Sequence, residues 1–180
     1  IEDGSGLTTA AGDRFGAALA GVPDMNGDGR YELAAAATGD DEAAGDVGAV
    51  HLLQLGADGS VTSAQKITEG VGGFDGGLNA RDRFGFAVAA IGDVDGDGVG
   101  DLAVGSYDDN ADGREGIVWI LFLDAAMQVT GQARISDNDP LFSEELDASD
   151  RFGYAIAGIG DVDQNGTPDL LVGAHRSDDG

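Results

Sequence analysis

A short acidic loop occurs three times in this chain at nearly constant spacing, and this repetition restricts the possible folds more than any other feature. The three copies begin at Asp24, Asp93 and Asp161, which puts successive copies 69 and 68 residues apart. A second motif, Asp-Arg-Phe-Gly, recurs at the same spacing and begins at residues 13, 82 and 150. Two separate motifs at one period indicate an internal repeat, in which each copy forms one structural unit.

Each loop carries oxygen-bearing side chains at its positions one, three, five and nine. In the second copy these residues are Asp93, Asp95, Asp97 and Asp101. Neighbouring carboxylates repel one another by about 1 kcal/mol per pair even in water, and a bound cation removes that cost. Ca²⁺ takes six to eight oxygen ligands, and Gly98 at position six permits the sharp turn that such loops make. The pattern therefore predicts a calcium site in each loop.

Solvated turns and EF-hands also contain loops rich in Asp and Gly, but the sequence favours neither. Asp, Asn and Gly are common in turns, yet three such loops in register favour metal binding over turn chemistry alone. An EF-hand needs a bidentate Glu at position twelve, whereas this chain has Ala35, Val104 and Val172 there. We therefore expect calcium loops that are not EF-hands.

Short apolar runs of strand length surround each loop. The first run of each repeat is rich in Ala, which also suits a buried helix, but short runs between glycines favour strands. In the second repeat Ile117 to Leu123 is apolar throughout and includes Trp119, which indicates a strand buried on both faces. In chain order, the predicted strands are 15–21, 32–37, 48–55, 63–67, 84–91, 101–106, 116–123, 131–136, 152–159 and 169–174.

About four short antiparallel strands per repeat are typical of a β-propeller blade, because stacked neighbours bury both faces of each sheet. We predict an all-β fold with about two and a half blades. For the Asp-Arg-Phe-Gly motif we predict a structural role, in which Phe packs between blades and Gly permits their close approach. The chain is expected to be a single propeller segment, 1–180, with repeats 13–81, 82–149 and 150–180, the last of them incomplete.

Composition excludes several functions. The chain has 34 acidic and 9 basic residues and a net charge of −25, which disfavours nucleic acid and anionic membranes as partners. No apolar stretch approaches 18 residues, so we expect no membrane insertion. There is no cysteine, and His51 and His175 are too few for a zinc or catalytic site. Familiar catalytic motifs are absent from the sequence, so we expect no enzyme. Because the first residue is Ile, we expect a processed product or a fragment.

The repeat resembles a known family. Phe84-Gly85, the loop from Asp93 to Asp101 and the Leu-Ala-Val-Gly-Ser run at Leu102 to Ser106 are similar to the FG-GAP repeat, which builds the seven-bladed β-propeller of integrin α subunits and similar bacterial surface proteins. The third repeat resembles it as well, through Phe152-Gly153 and Leu171 to Ala174. The first departs from the pattern, with Ala at all four positions of 34–37 and with Asn and Glu among its loop residues.

The resemblance implies about three Ca²⁺ ions in a structural role. Side chains would supply most ligands, and the position-seven residue of each loop would supply its carbonyl oxygen. The implied ligands are Asp24, Asn26, Asp28, Arg30 (carbonyl) and Glu32; Asp93, Asp95, Asp97, Val99 (carbonyl) and Asp101; and Asp161, Asp163, Asn165, Thr167 (carbonyl) and Asp169.

The resemblance also implies a partner surface on the face opposite the calcium loops. The connectors Thr68 to Arg81 and Asp137 to Ser149, together with the acidic loops 39–46, 108–115 and 177–180, would form that face and contact a protein or carbohydrate ligand. Other blades or subunits would complete the ring.

We therefore expect an extracellular or cell-surface module for adhesion or protein–protein interaction. The alternatives are an accessory propeller domain of a secreted hydrolase and a structural subunit of a multi-chain extracellular assembly.

Overall fold

The structure is a computed structural model that describes residues 5–106, 115–137, 146 and 150–175. The described residues form ten strands and no helix, and accordingly no helix that could cross a membrane was found among them. The strands are β1 (Phe15–Val22), β2 (Glu32–Ala37), β3 (Ala49–Leu55), β4 (Val61–Ile67), β5 (Val88–Gly92), β6 (Asp101–Ser106), β7 (Ile117–Leu123), β8 (Val129–Ile135), β9 (Ala155–Gly160) and β10 (Asp169–Gly173).

The strands form two complete four-stranded sheets and one two-stranded sheet. Their orders are β1-β2-β3-β4, β5-β6-β7-β8 and β10-β9, and every neighbouring pair is antiparallel. Strands that follow one another in the chain are therefore neighbours in the sheet, as in a propeller blade. The predicted all-β fold with two complete blades and part of a third is confirmed.

Consecutive sheets pack face to face through two apolar clusters. One combines residues of the first and second sheets, such as Val50, Leu52 and Trp119. The other combines the second sheet with the third, through residues such as Val118 and Val172. The innermost strands β1, β5 and β9 contact one another in sequence order. The second sheet is thus packed between its two neighbours, as stacked repeats require, whereas β9 in the third sheet is largely exposed.

The first strands of the second and third repeats begin later than predicted. The prediction places their starts at Phe84 and Phe152, but β5 begins at Val88 and β9 at Ala155. The reason is pairing with the preceding repeat: Phe84 forms a bridge with Gly48, and the Phe152 amide donates to the Glu115 carbonyl at 2.7 Å. Phe15 instead pairs with Ala37 of β2 and begins β1.

The Asp-Arg-Phe-Gly motif lies where consecutive sheets meet. Phe84 and Phe152 are buried between the sheets, whereas Phe15 is 40% exposed. A Cβ on Gly85 would lie 2.9 Å from Ala36 Cβ, and one on Gly153 would lie 2.9 Å from Val118 Cγ2. Both the packing of Phe and the close approach at Gly are therefore as predicted for the second and third repeats.

The first connector, Thr68 to Arg81, is expected to form part of the partner face, but it also enters the core. Phe74 and Leu78, in its middle, are buried, and the Phe74 ring stacks on Phe84 with centroids 4.8 Å apart. The Phe74 ring also makes an edge contact with Trp119, with centroids 5.3 Å apart. The carbonyl of Gly72 accepts a hydrogen bond from the Val129 amide at 2.9 Å. The connector therefore fills the space between the first two sheets instead of only covering one face.

Several predicted features lie outside the described residues. These are most of the second connector, nearly all of the acidic loop 108–115 and the loop 177–180.

Candidate metal-binding loops

Each acidic loop joins the first and second strands of its sheet. Position nine of the loop is the first residue of the second strand: Glu32, Asp101 and Asp169. The ladder pairs these residues with Val22, Gly92 and Gly160, the last residues of the first strands. Strand pairing therefore places the position-nine residue beside the start of the loop, close to position one.

The position-one carboxylate organises the turn. In the second loop, Asp93 Oδ1 accepts hydrogen bonds from the amides of Gly96 at 2.7 Å and Asp97 at 3.1 Å, and Oδ2 accepts one from Gly98 at 2.9 Å. The first loop has the same pattern around Asp24. In the third, Asp161 accepts from Asn165 at 3.0 Å and from Gly166 at 2.9 Å. Such side-chain-to-backbone bonds are typical of Asp in turns.

Glycine at position six follows from the backbone conformation. Gly29, Gly98 and Gly166 have φ values of 83°, 92° and 93°, which residues with a Cβ adopt only at a cost. A Cβ at these three positions would meet no other atom within 4 Å. The requirement for glycine is therefore conformational and does not come from packing.

Carboxylate oxygens converge in all three loops. In each loop, three acids place ligand atoms within 4.8 Å of one another. The groups are Asp24, Asp28 and Glu32; Asp93, Asp95 and Asp101; and Asp161, Asp163 and Asp169.

The remaining predicted ligands lie close to these groups in the chain. Asp97 is outside the compact second group, and its Oδ1 accepts a hydrogen bond from the Val99 amide at 2.7 Å. The amides of Arg30 and Thr167 donate equivalent bonds to Asp28 Oδ1 and Asn165 Oδ1, at 2.9 and 2.7 Å. Position five therefore orients position seven, the predicted carbonyl ligand, in all three loops.

The donor chemistry of the loops fits a hard divalent cation. Each group offers only oxygen atoms, and clustered carboxylates with one sharp turn are the ligands that Ca²⁺ prefers. Burial raises the pKa of Asp101, although hydrogen bonds from backbone amides act in the opposite direction. Burial also raises the pKa of Glu32. The amide of Gly29 is the main cause that lowers the pKa of Asp24. A cation between these groups would favour the ionised form of every carboxylate.

Two contacts of these loops were not foreseen from the sequence. The Leu123 amide, at the end of β7, donates to Asp101 Oδ1 at 3.0 Å. Arg30 Nη1 lies 3.0 Å from Asp28 Oδ2. The basic residue at position seven was a visible signal for the second contact, but no local pattern indicated the first.

Comparison with known proteins supports the resemblance. A family model described as FG-GAP repeat matches residues 15–53 and 84–121. The chain is 37% identical to integrin alpha-PS2 of Drosophila melanogaster over 172 residues, or 93% of this chain and 12% of the relative. It is 33% identical to human integrin alpha-IIb over 171 residues, with 89% and 15% covered. It is 34% identical to integrin alpha-V of Gallus gallus over 172 residues, with 91% and 15% covered.

The chain spans 12 to 15% of the length of these three curated relatives. The two stretches that the family model matches contain the first two strands and most of the third strand of each complete sheet, together with the first two acidic loops. The four-stranded sheets are thus blades of the FG-GAP type. From the motifs, the sheets and these similarities, we conclude that the chain is built of FG-GAP repeats and is related over most of its length to integrin α subunits.

Proposed function

We propose that the chain is a calcium-stabilised part of an FG-GAP β-propeller that acts in adhesion or protein–protein interaction outside the cell. The observation that carries the proposal is the convergence of three acids in each of three loops at one repeat position. The similarity to integrin α subunits supports the adhesion role and an extracellular or cell-surface location, and it argues for a binding module instead of an enzyme.

The role proposed for calcium is structural. Bound Ca²⁺ supplies positive charge that neutralises carboxylates held close together. The fifteen loop residues predicted above hold it, with Asp93, Asp95, Asp97 and Asp101 as side-chain ligands and Val99 as a carbonyl ligand in the second loop. Because position nine begins the second strand, the loop residues join the two strands at one end of the blade. In this proposal, the repeats 13–81, 82–149 and 150–180 are the units that share this arrangement.

The partner surface is proposed to lie at the opposite end of the strands. The β2–β3 loop is at that end, and a cavity of about 410 Å³ there is lined by Asp13, Asp40, Glu42, Lys66 and the threonines at 8 and 9. Its charged lining suits a polar protein or carbohydrate ligand.

Further blades or subunits are proposed to cover the outer sheets. Leu19 on β1 and Tyr31 just before β2 are exposed, and Ile159 and Leu171 are exposed on the third sheet. In the stack itself, apolar residues of this kind are covered by a neighbouring sheet. These surfaces also suit the alternative role as a structural subunit of a multi-chain assembly.

Calorimetric titration of chelator-stripped protein with Ca²⁺, with a thermal melt before and after, tests the structural role. We expect about three sites and a large rise in melting temperature. The double variant Asp95→Ala/Asp97→Ala should lose one site and melt at a lower temperature in Ca²⁺, but not in chelator. Asp58→Asn, at an exposed acid in the β3–β4 turn and outside the metal-binding loops and the partner cavity, is the matched control. Absence of binding would contradict the calcium role.

A surface-adhesion assay tests the interaction role. Surfaces coated with the chain should retain cells or extracellular-matrix proteins in Ca²⁺ and release them in chelator. The Asp95→Ala/Asp97→Ala variant should retain less than Asp58→Asn. Equal retention by bare and coated surfaces would contradict adhesion and leave the calcium result unaffected.

A further inference from the structure

The three loops differ in the charge that they place around the proposed metal position. The second loop has carboxylates at all four side-chain positions, whereas Asn26 replaces one in the first loop and Asn165 replaces one in the third. The affinity of oxygen sites for Ca²⁺ is tuned by ligand charge and by the rigidity of the site. Ligand charge therefore favours the second loop over the other two.

Rigidity also favours the second loop. Asp101 is fully buried, and its Oδ2 accepts a hydrogen bond from the Val94 amide at 2.8 Å. Its Oδ1 accepts a second bond from the Leu123 amide, which belongs to β7 and not to the loop. One carboxylate is thus held by the loop and by another strand of the same sheet. A ligand held in place before binding loses less conformational freedom when the cation arrives.

Among the described residues, the bonds to the corresponding acids of the other loops come from their own loops. Glu32 accepts bonds from the Met25 amide at 3.0 Å and from Asn26 Nδ2 at 3.1 Å. Asp169 Oδ2 accepts bonds from the amides of Val162 at 2.7 Å and Asp163 at 3.3 Å. Glu32 also has one more rotatable side-chain bond than an aspartate, so ordering it costs more entropy.

The first loop carries a competing cation of its own. The Arg30 guanidinium lies 3.0 Å from Asp28, and Asp28 belongs to the compact group of that loop. The equivalent residues in the other loops are Val99 and Thr167, which are uncharged. Calcium in the first loop must therefore compete with a positive side chain for one of its three carboxylates.

We infer that the three loops bind Ca²⁺ in a definite order, with the second loop first, the third next and the first loop last. We further infer that binding in the second loop changes the environment of the β7 end through the hydrogen bond between Asp101 and Leu123. Both inferences rest on the proposed calcium function and specify how its sites differ.

Calcium titration followed by amide NMR of the full chain tests the order directly. The amides of Gly29, Gly98 and Gly166 each report on one loop. Gly98 should respond at the lowest Ca²⁺ concentration, with a midpoint at least about tenfold below that of Gly29. The Leu123 amide should change together with Gly98, whereas Leu55, at the same position of the first sheet, should not follow Gly29.

Arg30→Ala separates the competing cation from the other differences. It should move the Gly29 midpoint roughly two- to fivefold lower, as expected for loss of an exposed ion pair, and leave Gly98 unchanged. Arg134→Ala, an exposed arginine on β8, is the matched control and should move neither midpoint.

The outcomes separate the inference from the function on which it rests. If the three glycines respond together, or if Gly29 responds first, the loops bind calcium and the order is wrong. If the NMR signal of the Leu123 amide does not change over the Ca²⁺ range in which Gly98 responds, the inferred link between the second loop and β7 is overturned. If Arg30→Ala leaves the Ca²⁺ midpoint of Gly29 unchanged, Arg30 does not compete with Ca²⁺ in the first loop. If no amide responds at all, both the calcium function and the order are overturned.

Discussion

Gly48 and Phe84 form an isolated parallel bridge that joins the first sheet to the start of the second repeat. The Phe84 amide donates a hydrogen bond to the neighbouring carbonyl of Val47 at 2.8 Å. A Cβ on Gly48 would lie 2.3 Å from the Phe84 carbonyl oxygen. The same arrangement recurs one repeat later, where a Cβ on Gly116 would lie 2.1 Å from the carbonyl oxygen of Phe152. Backbone contact at a glycine therefore sets the spacing of consecutive blades.

Gly48→Ala should strongly destabilise the contact between the first two blades. Gly59→Ala is the matched control, because Gly59 has a similar φ of 81° and open space around its Cβ position. In the control, the free energy of unfolding should fall by about 1 kcal/mol, because alanine is strained in the left-handed conformation. Gly48→Ala should lose at least about 2 kcal/mol more, because backbone must move. Chemical denaturation measures the stability of both variants. Equal losses of stability would show that the contact at Gly48 does not set the spacing of the blades.

Phe74 is expected to be a major contributor to stability, although it lies in a connector. Its ring packs against Phe84 and Trp119, and its side chain is buried. Phe74→Ala should lower the free energy of unfolding by about 3 to 5 kcal/mol, as for other buried aromatic residues. Val71→Ala, in the same connector and 39% exposed, should cost far less. Similar small losses in both variants would mean that the connector packs loosely in solution.

Lys66 and Asp40 form an ion pair, with Nζ and Oδ2 2.7 Å apart and both side chains largely buried. Burial opposes the charged form, but hydrogen bonds to Asp40 and Glu42 raise the pKa of Lys66. Lys66→Met should cost about 3 kcal/mol, because the Asp40 carboxylate remains buried without its cation.

The double variant Lys66→Met/Asp40→Asn also removes the negative charge that Lys66→Met leaves unpaired. It should recover at least half of the stability that Lys66→Met loses. The comparison is made by urea denaturation at pH 7. If the double variant is no more stable than Lys66→Met alone, the pair does not act through charge.

His51 should make stability depend on pH. It is 1% exposed, and its pKa is lowered, first by burial and then by the positive charge of Lys66. The nearby acids at 13, 40 and 42 act in the opposite direction without reversing the shift. The unfolded chain accepts a proton near its ordinary pKa of about 6.5, whereas the folded chain resists it. We therefore expect the free energy of unfolding to fall as pH decreases below 7, by at most about 1.4 kcal/mol per pH unit from this group.

His51→Phe removes the titrating group and retains an aromatic ring beside Phe15, whose ring centroid lies 5.4 Å from that of His51. Denaturation between pH 5 and 8 should show a smaller slope in this variant than in the parent chain. His175→Gln changes the other histidine, which is exposed, and should retain the parent slope. Identical slopes in all three proteins would rule out His51 as the cause.

Features that are local in the chain were predictable. β2 and β6 begin and end where the sequence indicated, since each starts at the position-nine acid of its loop and consists of a short, mainly apolar run. The clustering of loop acids was predictable for the same reason, because turn chemistry and side-chain spacing act over a few residues. The periodic recurrence of both motifs then indicated stacked blades without any knowledge of their contacts.

Contacts between distant residues were not predictable, because no period or local propensity encodes them. The burial of Phe74 depends on Trp119, which lies 45 residues further along the chain. The bond from Leu123 to Asp101 depends on the register of β6 and β7. The late start of β5 depends on the bridge between Phe84 and Gly48, which joins two repeats. Local chemistry thus specified the repeats, their acidic loops and the charges that distinguish those loops. Tertiary contacts specified the burial of the connector, the start of β5 and the bond that holds Asp101.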